Sequence, residues 1–269
     1  MRARALIALL FFLPLAALLA CGSNPTLSTP TSPYLNLTGD WAALASPNPS
    51  TPLVLPTPIE DFIGALQSSG GTVTGTLHAI SLSSCVLLTQ DLQASGTIDT
   101  NGNLMLSVPI SGGTATITST IVTPESYTSG TWQVTGGACA MPATAIRMAQ
   151  FAPATGTYTG VVNVLDTATD LPVPGTATNL TAALMQSTTP NADGQFPLSG
   201  TITASGACTG TFPITNEVVS GGIFMPVALT GPLGVLFGGI IPTGTTLIAD
   251  FDPNPACGSQ LYNGILTRQ

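Results

Sequence analysis

The sequence predicts an all-β protein made of two tandem, internally duplicated antiparallel β units, each a small barrel or sandwich with one disulfide. Three observations lead to this fold class. Threonine supplies 41 of the 269 residues, and β-branched side chains favour pleated strands. The 29 glycines and 23 prolines leave little room for long helices. Finally, the two halves of the chain repeat each other in order.

The N-terminus carries an export signal. Two arginines precede residues 6–19, an apolar stretch of the length of a secretory signal and too short to span a bilayer comfortably. It ends in Leu18-Leu19-Ala20-Cys21, which resembles the lipobox of bacterial lipoproteins. The resemblance implies a signal peptide over 1–20, lipidation of Cys21, and recognition through the three residues before it.

A lipid anchor of this kind predicts a place in the cell envelope. Each buried CH₂ contributes about 0.8 kcal/mol, so two or three acyl chains hold a protein on a membrane almost permanently. Gly22, not an aspartate, follows Cys21, and in the enteric-type sorting pattern this points to the outer rather than the inner membrane. We therefore expect an outer-membrane lipoprotein on either the periplasmic or the surface face.

The rest of the chain divides into a tether and two domains. Residues 21–35 are rich in Ser, Thr and Pro and carry no charge, a composition typical of an extended, solvated linker. We predict a first β domain over 36–150 and a second over 151–269.

Matching segments of the two domains support the duplication. Gly39-Asp-Trp41 corresponds to Gly156-Thr-Tyr158, and Gly75-Thr-Leu77 corresponds to Gly200-Thr-Ile202. These offsets of 117 and 125 residues belong to a nearly constant series, which chance matches rarely produce.

Short strands with frequent turns are predicted in both halves. Apolar and polar residues alternate over 72–80 and 114–122, and Asn101-Gly102 lies between two alternating runs, a strong hairpin signal. Several Gly-Gly pairs are spaced as is typical of turns, at 70–71, 112–113, 136–137 and 221–222. About six to eight strands per half are expected for an antiparallel meander, sandwich or barrel.

Two segments could be mistaken for helices. Residues 60–66 could open a short helix, but as the repeat partner of 179–186 they are predicted to form a strand. The segment 218–249 is uncharged and long enough for a transmembrane helix. Its prolines and glycines favour buried strands with a turn at Gly231-Pro232 instead.

Five cysteines leave an even number once the lipobox residue is set aside. Four cysteines allow three pairings, and the duplication favours Cys85–Cys139 with Cys208–Cys257. Export permits their oxidation. Each bridge would close a loop of about 50 residues and stabilise the fold by up to about 4 kcal/mol. A metal site would need clustered thiolates or histidines, and the chain has no CxxC spacing and a single histidine.

Composition excludes several functions. Charged residues make up 6% of the chain, against roughly 25% in ordinary soluble domains. After removal of the leader, twelve acids face only Arg147 and Arg268, and there is no lysine, which gives a formal charge of −10. Such a surface repels phosphate backbones, so nucleic acid is not expected as a partner. We expect no cofactor and no catalysis.

Few residues suggest chemistry. The single histidine, His78, lies in an alternating run and is expected on a strand, at the surface or partly covered. Asp99–Asn103 and Asp250–Asn254 gather oxygen ligands at alternate positions, which calcium would accept. Neither has a twelve-residue loop with a closing glutamate, so we predict turns. Gly39-Asp-Trp41 resembles the Gly-x-Trp of lipocalins, which implies one barrel per copy with an apolar calyx; the second copy departs with Tyr158. The alternative is an aromatic side chain that fills the core of any small β unit.

Three functions follow. The first is a lipid-anchored extracytoplasmic protein with a structural, adhesive or partner-binding role, whose partner is an envelope protein or a glycan. The second is a lipocalin-like carrier of a small apolar ligand, which would need a pocket of at least ~300 Å³. The third is a carboxylate-based hydrolase, which would need two acids converging in one cleft at ~5–10 Å.

Overall fold

The chain folds as an all-β protein. The computed structural model describes residues 32–44, 61–79, 90–110, 112–137, 140–166, 168–169, 171–226, 235–253, 257 and 260–269. Pro33–Gln269 form one compact unit, and every regular element in the described ranges is a β-strand. The predicted fold class is confirmed.

The first eight strands close into an antiparallel barrel. Each strand pairs with the next, and β1 pairs with β8 to close the ring. The strands are β1 (Gly39–Leu44), β2 (Phe62–Ser69), β3 (Thr72–Ala79), β4 (Asp91–Ile98), β5 (Asn103–Ile110), β6 (Gly113–Thr120), β7 (Thr128–Thr135) and β8 (Met141–Phe151).

The next eight strands form a second closed barrel, in which β9 pairs with β16. They are β9 (Gly156–Val164), β10 (Thr178–Gln186), β11 (Phe196–Gly206), β12 (Gly210–Ser220), β13 (Ile223–Pro226), β14 (Val235–Ile240), β15 (Thr246–Asp252) and β16 (Tyr262–Arg268). The chain passes from one barrel to the other between Phe151 and Gly156. In the described part of the chain each half therefore contributes eight strands, the upper end of the predicted number.

The two barrels share a strand register at their matching segments. In the first barrel Gly39 lies opposite Leu66, which lies opposite Gly75. The equivalent row of the second barrel consists of Gly156, Leu184 and Gly200. The repeat in the sequence is thus a repeat of strand pairing.

Turn chemistry fixes the hairpins where it was predicted. Gly102, with φ of 83°, lies between β4 and β5. The Asp99 carboxylate accepts hydrogen bonds from the backbone N–H groups of Asn101 and Asn103, both at 2.8 Å. The Gly-Gly pairs at 70–71 and 221–222 have positive φ at both residues, as two-residue hairpin turns with the twist of the flanking strands require.

The segments that could resemble helices are strands. Residues 62–69 form β2, and the apolar segment contributes β13, β14 and part of β15; Gly231-Pro232 lies outside the described residues. No helix in the described ranges has the length and apolarity to cross a membrane. The turn predicted over Asp250–Asn254 does not include its first residues, because Asp250 and Asp252 belong to β15. The backbone of β15 pairs with β14 and β16, which overrides the local preference of aspartate for turns; Asn254 lies outside the described residues.

Large side chains occupy the described interior of each barrel. In the first, the Phe62 and Trp132 rings meet edge to face with centroids 5.7 Å apart. In the second, Phe212 and Phe251 do the same at 5.1 Å. Because strand side chains alternate between faces, the opposite faces remain to form the outer surface.

Candidate functional site: the joint and the cleft between the barrels

One patch of the outer surface of the first barrel is apolar and buried. Ala42, Ile63, Ala149 and Phe151 point out of the first barrel and belong to the hydrophobic cluster of the second. They lie on β1, β2 and β8, which are neighbours in the sheet. The barrels therefore pack through an apolar contact, which we call the joint.

The turn between β12 and β13 fits into this joint. A Cβ atom at Gly221 would lie 2.3 Å from Cγ2 of Ile63, and one at Gly222 would lie 2.2 Å from Cδ1 of Phe151. Both glycines have positive φ, 58° and 74°. Only glycine meets the conformational and the steric demand together.

A buried carboxylate holds this turn. Asp40 is 2% exposed, and its Oδ1 and Oδ2 atoms accept hydrogen bonds from the N–H groups of Gly221 at 2.6 Å and Gly222 at 2.8 Å. Burial raises the pKa of Asp40 to about 7, against the opposing effect of these N–H groups and that of Trp41. The joint thus contains an acid that titrates near neutrality.

A second contact between the barrels involves the single histidine. His78 is 9% exposed; its Nε2 hydrogen-bonds the carbonyl oxygen of Asp193, and its Nδ1 lies 3.2 Å from Oδ1 of Asp91. The prediction of a strand histidine is confirmed, and its partner lies in the second barrel. Asp193 belongs to the connection between β10 and β11, residues 187–195, which we call the wall loop.

The wall loop is held firmly. The Asn191 side-chain oxygen accepts hydrogen bonds from the N–H groups of Asp193 at 3.1 Å and Gln195 at 2.9 Å. Gly194 lies so close to β3 that a Cβ atom there would be 2.6 Å from the carbonyl oxygen of Thr76. The position of the wall loop is therefore set by hydrogen bonds inside the loop and by contacts with the first barrel.

A cleft of about 490 Å³ lies between this loop and the first barrel. Its floor is the outer face of β2, β3 and β4, where Ala65, Thr76 and Gln93 lie opposite one another in one row and Gln67 lies opposite Thr74 in the next. Thr189, Pro190, Asn191 and Gly194 line it from the wall loop. We call this the interbarrel cleft.

The interbarrel cleft is polar without being charged. The described residues that line it supply hydroxyl and amide side chains from both barrels and include no Asp, Glu, Arg or Lys. Gln93 already donates to Thr76 Oγ1 at 3.3 Å, which orients its amide along the floor. Such a surface offers hydrogen-bond donors and acceptors to a ligand but no countercharge.

Two other clefts are lined by described residues. One of about 400 Å³ lies on the outer face of β6 and β7, around Thr118 and Thr131. The other, of about 650 Å³, lies beside the wall loop and includes Met185 and Glu217. Among the described lining residues, each of the three clefts contains at most one carboxylate, so none of them shows the pair that the hydrolase hypothesis requires.

The structure describes one of the two predicted disulfides. Cys208 and Cys257 form a disulfide with Cα atoms 5.5 Å apart, as predicted. Cys208 is buried, and its N–H donates to Thr178 Oγ1 at 3.0 Å. Cys21, Cys85 and Cys139 lie outside the described residues, so the lipidation and the Cys85–Cys139 pairing stay predictions.

The Gly-x-Trp segment closes the first barrel. Trp41 is buried and donates through Nε1 to the carbonyl oxygen of Leu37 at 2.7 Å. Its equivalent, Tyr158, donates through its hydroxyl to the carbonyl oxygen of Gly244 at 3.1 Å. One closed barrel per copy agrees with the lipocalin-like interpretation. The apolar calyx it implies has no counterpart among the three clefts above, which lie outside the barrel interiors.

The remaining acidic candidates lie in the β4–β5 turn and on β15. Asp99 has a lowered pKa because the Asn103 side chain and backbone N–H groups bind its ionised form, as expected for a turn. Asp250 and Asp252 share the outer face of β15, and Asn263 donates to Asp250. In the described part of the chain no group of three His, Cys, Asp or Glu side chains is arranged to hold a metal ion.

Sequence reasoning alone does not predict the joint. Asp40 lies inside the Gly-x-Trp segment, yet an aspartate next to a buried tryptophan on a strand is expected to face solvent. The sequence contains one weak sign that Asp40 has a special role. The chain has few charged residues, yet it has an aspartate at position 40 where the second copy of the repeat has Thr157. Comparison with known proteins finds no matching family model, curated protein or solved structure.

Proposed function

We propose that the protein is a lipid-anchored extracytoplasmic component of a bacterial cell envelope that binds a partner there. The lipobox ending in Cys21 supports the anchor, and residues 21–35 supply a tether long enough to hold the barrels off the membrane. The Cys208–Cys257 disulfide is consistent with folding outside the cytoplasm.

The observation that carries the binding role is the interbarrel cleft. It is formed by two barrels that are fixed to each other through the joint, and its described lining is uncharged. A preformed polar cleft loses little conformational entropy when it is filled. An adhesive or structural role uses the same surface, because attachment to an envelope component requires a fixed complementary patch.

The anchor is tested by metabolic labelling of producing cells with an alkyne analogue of palmitate. We expect label on the wild-type chain and on the Gly22→Asp variant, and none on Cys21→Ala. Membrane fractionation adds a second result, since Gly22→Asp is expected to move the labelled protein from the outer to the inner membrane. A wild-type chain that takes up no label would refute the anchor.

A further inference from the structure

We infer that the interbarrel cleft binds a neutral oligosaccharide. This rests on the proposed function for its location at the envelope and deepens it by naming the class of ligand. The first argument is the chemistry of the lining, where Gln67, Gln93 and Asn191 supply amides and Thr74 and Thr76 supply hydroxyls. Sugar hydroxyl groups both donate and accept hydrogen bonds, as these side chains do.

The second argument is charge. The described lining contains no basic side chain, so a phosphate, sulfate or carboxylate would enter without a countercharge. The mature chain carries a formal charge of −10, which repels anions at longer range. The described lining contains no acidic side chain either, so a cation would also find no countercharge in the cleft. The ligand that remains is polar and uncharged.

The third argument separates a sugar from a peptide. Extended peptides commonly bind by adding a strand to an exposed sheet edge. Both barrels are closed, and the described strands leave only short unpaired stretches, such as Asp91–Ala94 on the β5 side of β4. The floor is the face of a sheet, where only side chains project. The apolar side chains that line the cleft, Ala65 of the floor and Pro190 of the wall loop, are too small to form deep pockets for peptide side chains.

The cleft is also rigid enough to select a ligand. The Asn191 side chain orders the wall loop from within, and His78 ties the loop to β3. The floor is part of a closed sheet. The donors and acceptors therefore stand at fixed positions before a ligand arrives, which favours affinity from few hydrogen bonds.

The test is binding to an array of neutral oligosaccharides of varied sugar and linkage, printed beside uronic-acid and sulfated counterparts and uncharged peptides. The full chain is purified from producing cells in detergent, which keeps it in solution whether or not it carries a lipid anchor. The detergent has no sugar headgroup, so that it does not compete for the cleft. We expect binding to a subset of neutral oligosaccharides. The best of these is then titrated by calorimetry in solution.

Matched variants locate the site. Gln93→Ala removes an amide from the floor, whereas Gln133→Ala removes one from β7, where Gln133 is exposed and lies opposite Thr116 as Gln93 lies opposite Thr76. We expect Gln93→Ala to weaken the Kd about tenfold, the effect of one lost hydrogen bond and its packing. Gln133→Ala should leave the Kd unchanged, and both variants should melt like the wild type.

Three results would overturn the inference: no binding to any neutral oligosaccharide, binding only to acidic sugars or peptides, or equal weakening by both variants. Each is independent of the palmitate experiment. A protein that takes up the palmitate label but binds no sugar would refute the proposed ligand and leave the anchor standing. A protein that binds sugar but takes up no label would refute the anchor and leave the ligand standing.

Discussion

For single residues, the most consequential is Asp40, whose burial at the joint predicts that the stability of the barrels depends on pH. Its cross-strand neighbours are Ala65 and Phe151, and the hydrogen bonds to its carboxylate come from backbone N–H groups. Those N–H groups stabilise the ionised form, but removal from water disfavours it more strongly. The net result is a carboxyl group whose folded-state pKa, about 7, lies above the value of 3.8 for an exposed aspartate.

This shift has a definite sign for stability. Between about pH 4 and pH 7 the folded chain keeps a proton on Asp40 that the unfolded chain has released. The contribution of Asp40 to the free energy of unfolding is therefore fully present below about pH 4 and is lost as the pH rises to about 7. Asp40→Asn removes this titration. We expect the stability of the wild type relative to the variant to fall by up to about 4 kcal/mol across that window, at about 1.4 kcal/mol per pKa unit.

Urea unfolding of both proteins at about pH 4.5, 6 and 7.5 measures the difference. Asp166→Asn is the control, because that exposed carboxylate has its pKa lowered, first of all by the N–H of Ala168. Its titration therefore lies below the sampled pH range, and this variant should keep the pH profile of the wild type. Parallel pH profiles for the wild type and Asp40→Asn would show that Asp40 does not titrate in this range.

Among the strands and their connections, one repeated arrangement closes the end of each barrel. In the first barrel the Gln150 side chain of β8 donates to the carbonyl oxygen of Thr38 at 2.8 Å. In the second, Arg268 of β16 donates to that of Thr155 at 2.5 Å. Each acceptor directly precedes the first glycine of its barrel, so the last strand is fastened to the first in the same way.

The cysteines follow the same equivalence. Cys208 lies between β11 and β12 and Cys257 between β15 and β16. In the sequence, Cys85 lies between β3 and β4 and Cys139 between β7 and β8, the corresponding connections of the first barrel. Peptide mapping of the unreduced protein is expected to give two cross-linked pairs, Cys85–Cys139 and Cys208–Cys257.

Reduction should lower the free energy of unfolding, by up to about 4 kcal/mol for a bridge that closes about 50 residues. Cys208→Ser should lower it by a similar amount in the second barrel. A free thiol at Cys85 or Cys139 in the oxidised protein, detected by alkylation, would contradict the predicted pairing.

For the molecule as a whole, the joint makes one body of two barrels. Gly221→Ala would place a methyl group 2.3 Å from Ile63 and 3.2 Å from Ala42 and separate the faces. Gly70→Ala is a matched control, since Gly70 is also the first residue of a Gly-Gly hairpin turn and has φ of 56° against 58°. A Cβ atom at Gly70 would have open space for 4 Å around it. Both variants share the backbone strain, and only one disturbs the joint.

We expect Gly221→Ala to lose roughly 1–3 kcal/mol more stability than Gly70→Ala, the usual cost of overpacking a buried contact. Chemical denaturation measures this difference. A second measurement is limited proteolysis between Phe151 and Gly156, which should become faster in Gly221→Ala alone. Equal destabilisation by both substitutions would mean that the barrels do not rely on this contact.

Local patterns in the sequence were sufficient to predict the strands, several turns and the repeat. Alternation over 72–80 and the Asn101-Gly102 pair act over a few residues, so their consequences can be derived locally. The repeat then predicted that both halves pair their strands alike. It also favoured Cys208–Cys257 over the other pairings, because a duplicated unit is expected to carry its own bridge.

Which outer faces are covered depends instead on how the two folded barrels meet. Alternation separates two faces of a strand but does not say what lies against the outer one, so Ala42 and Ile63 gave no sign of a second barrel. Asp40 and Gly221 are 181 residues apart in the chain, and no local pattern links them. The joint and the cleft depend on the complementary shapes of the two barrel surfaces, which bring together residues far apart in the sequence. Those surfaces exist only once both barrels are closed.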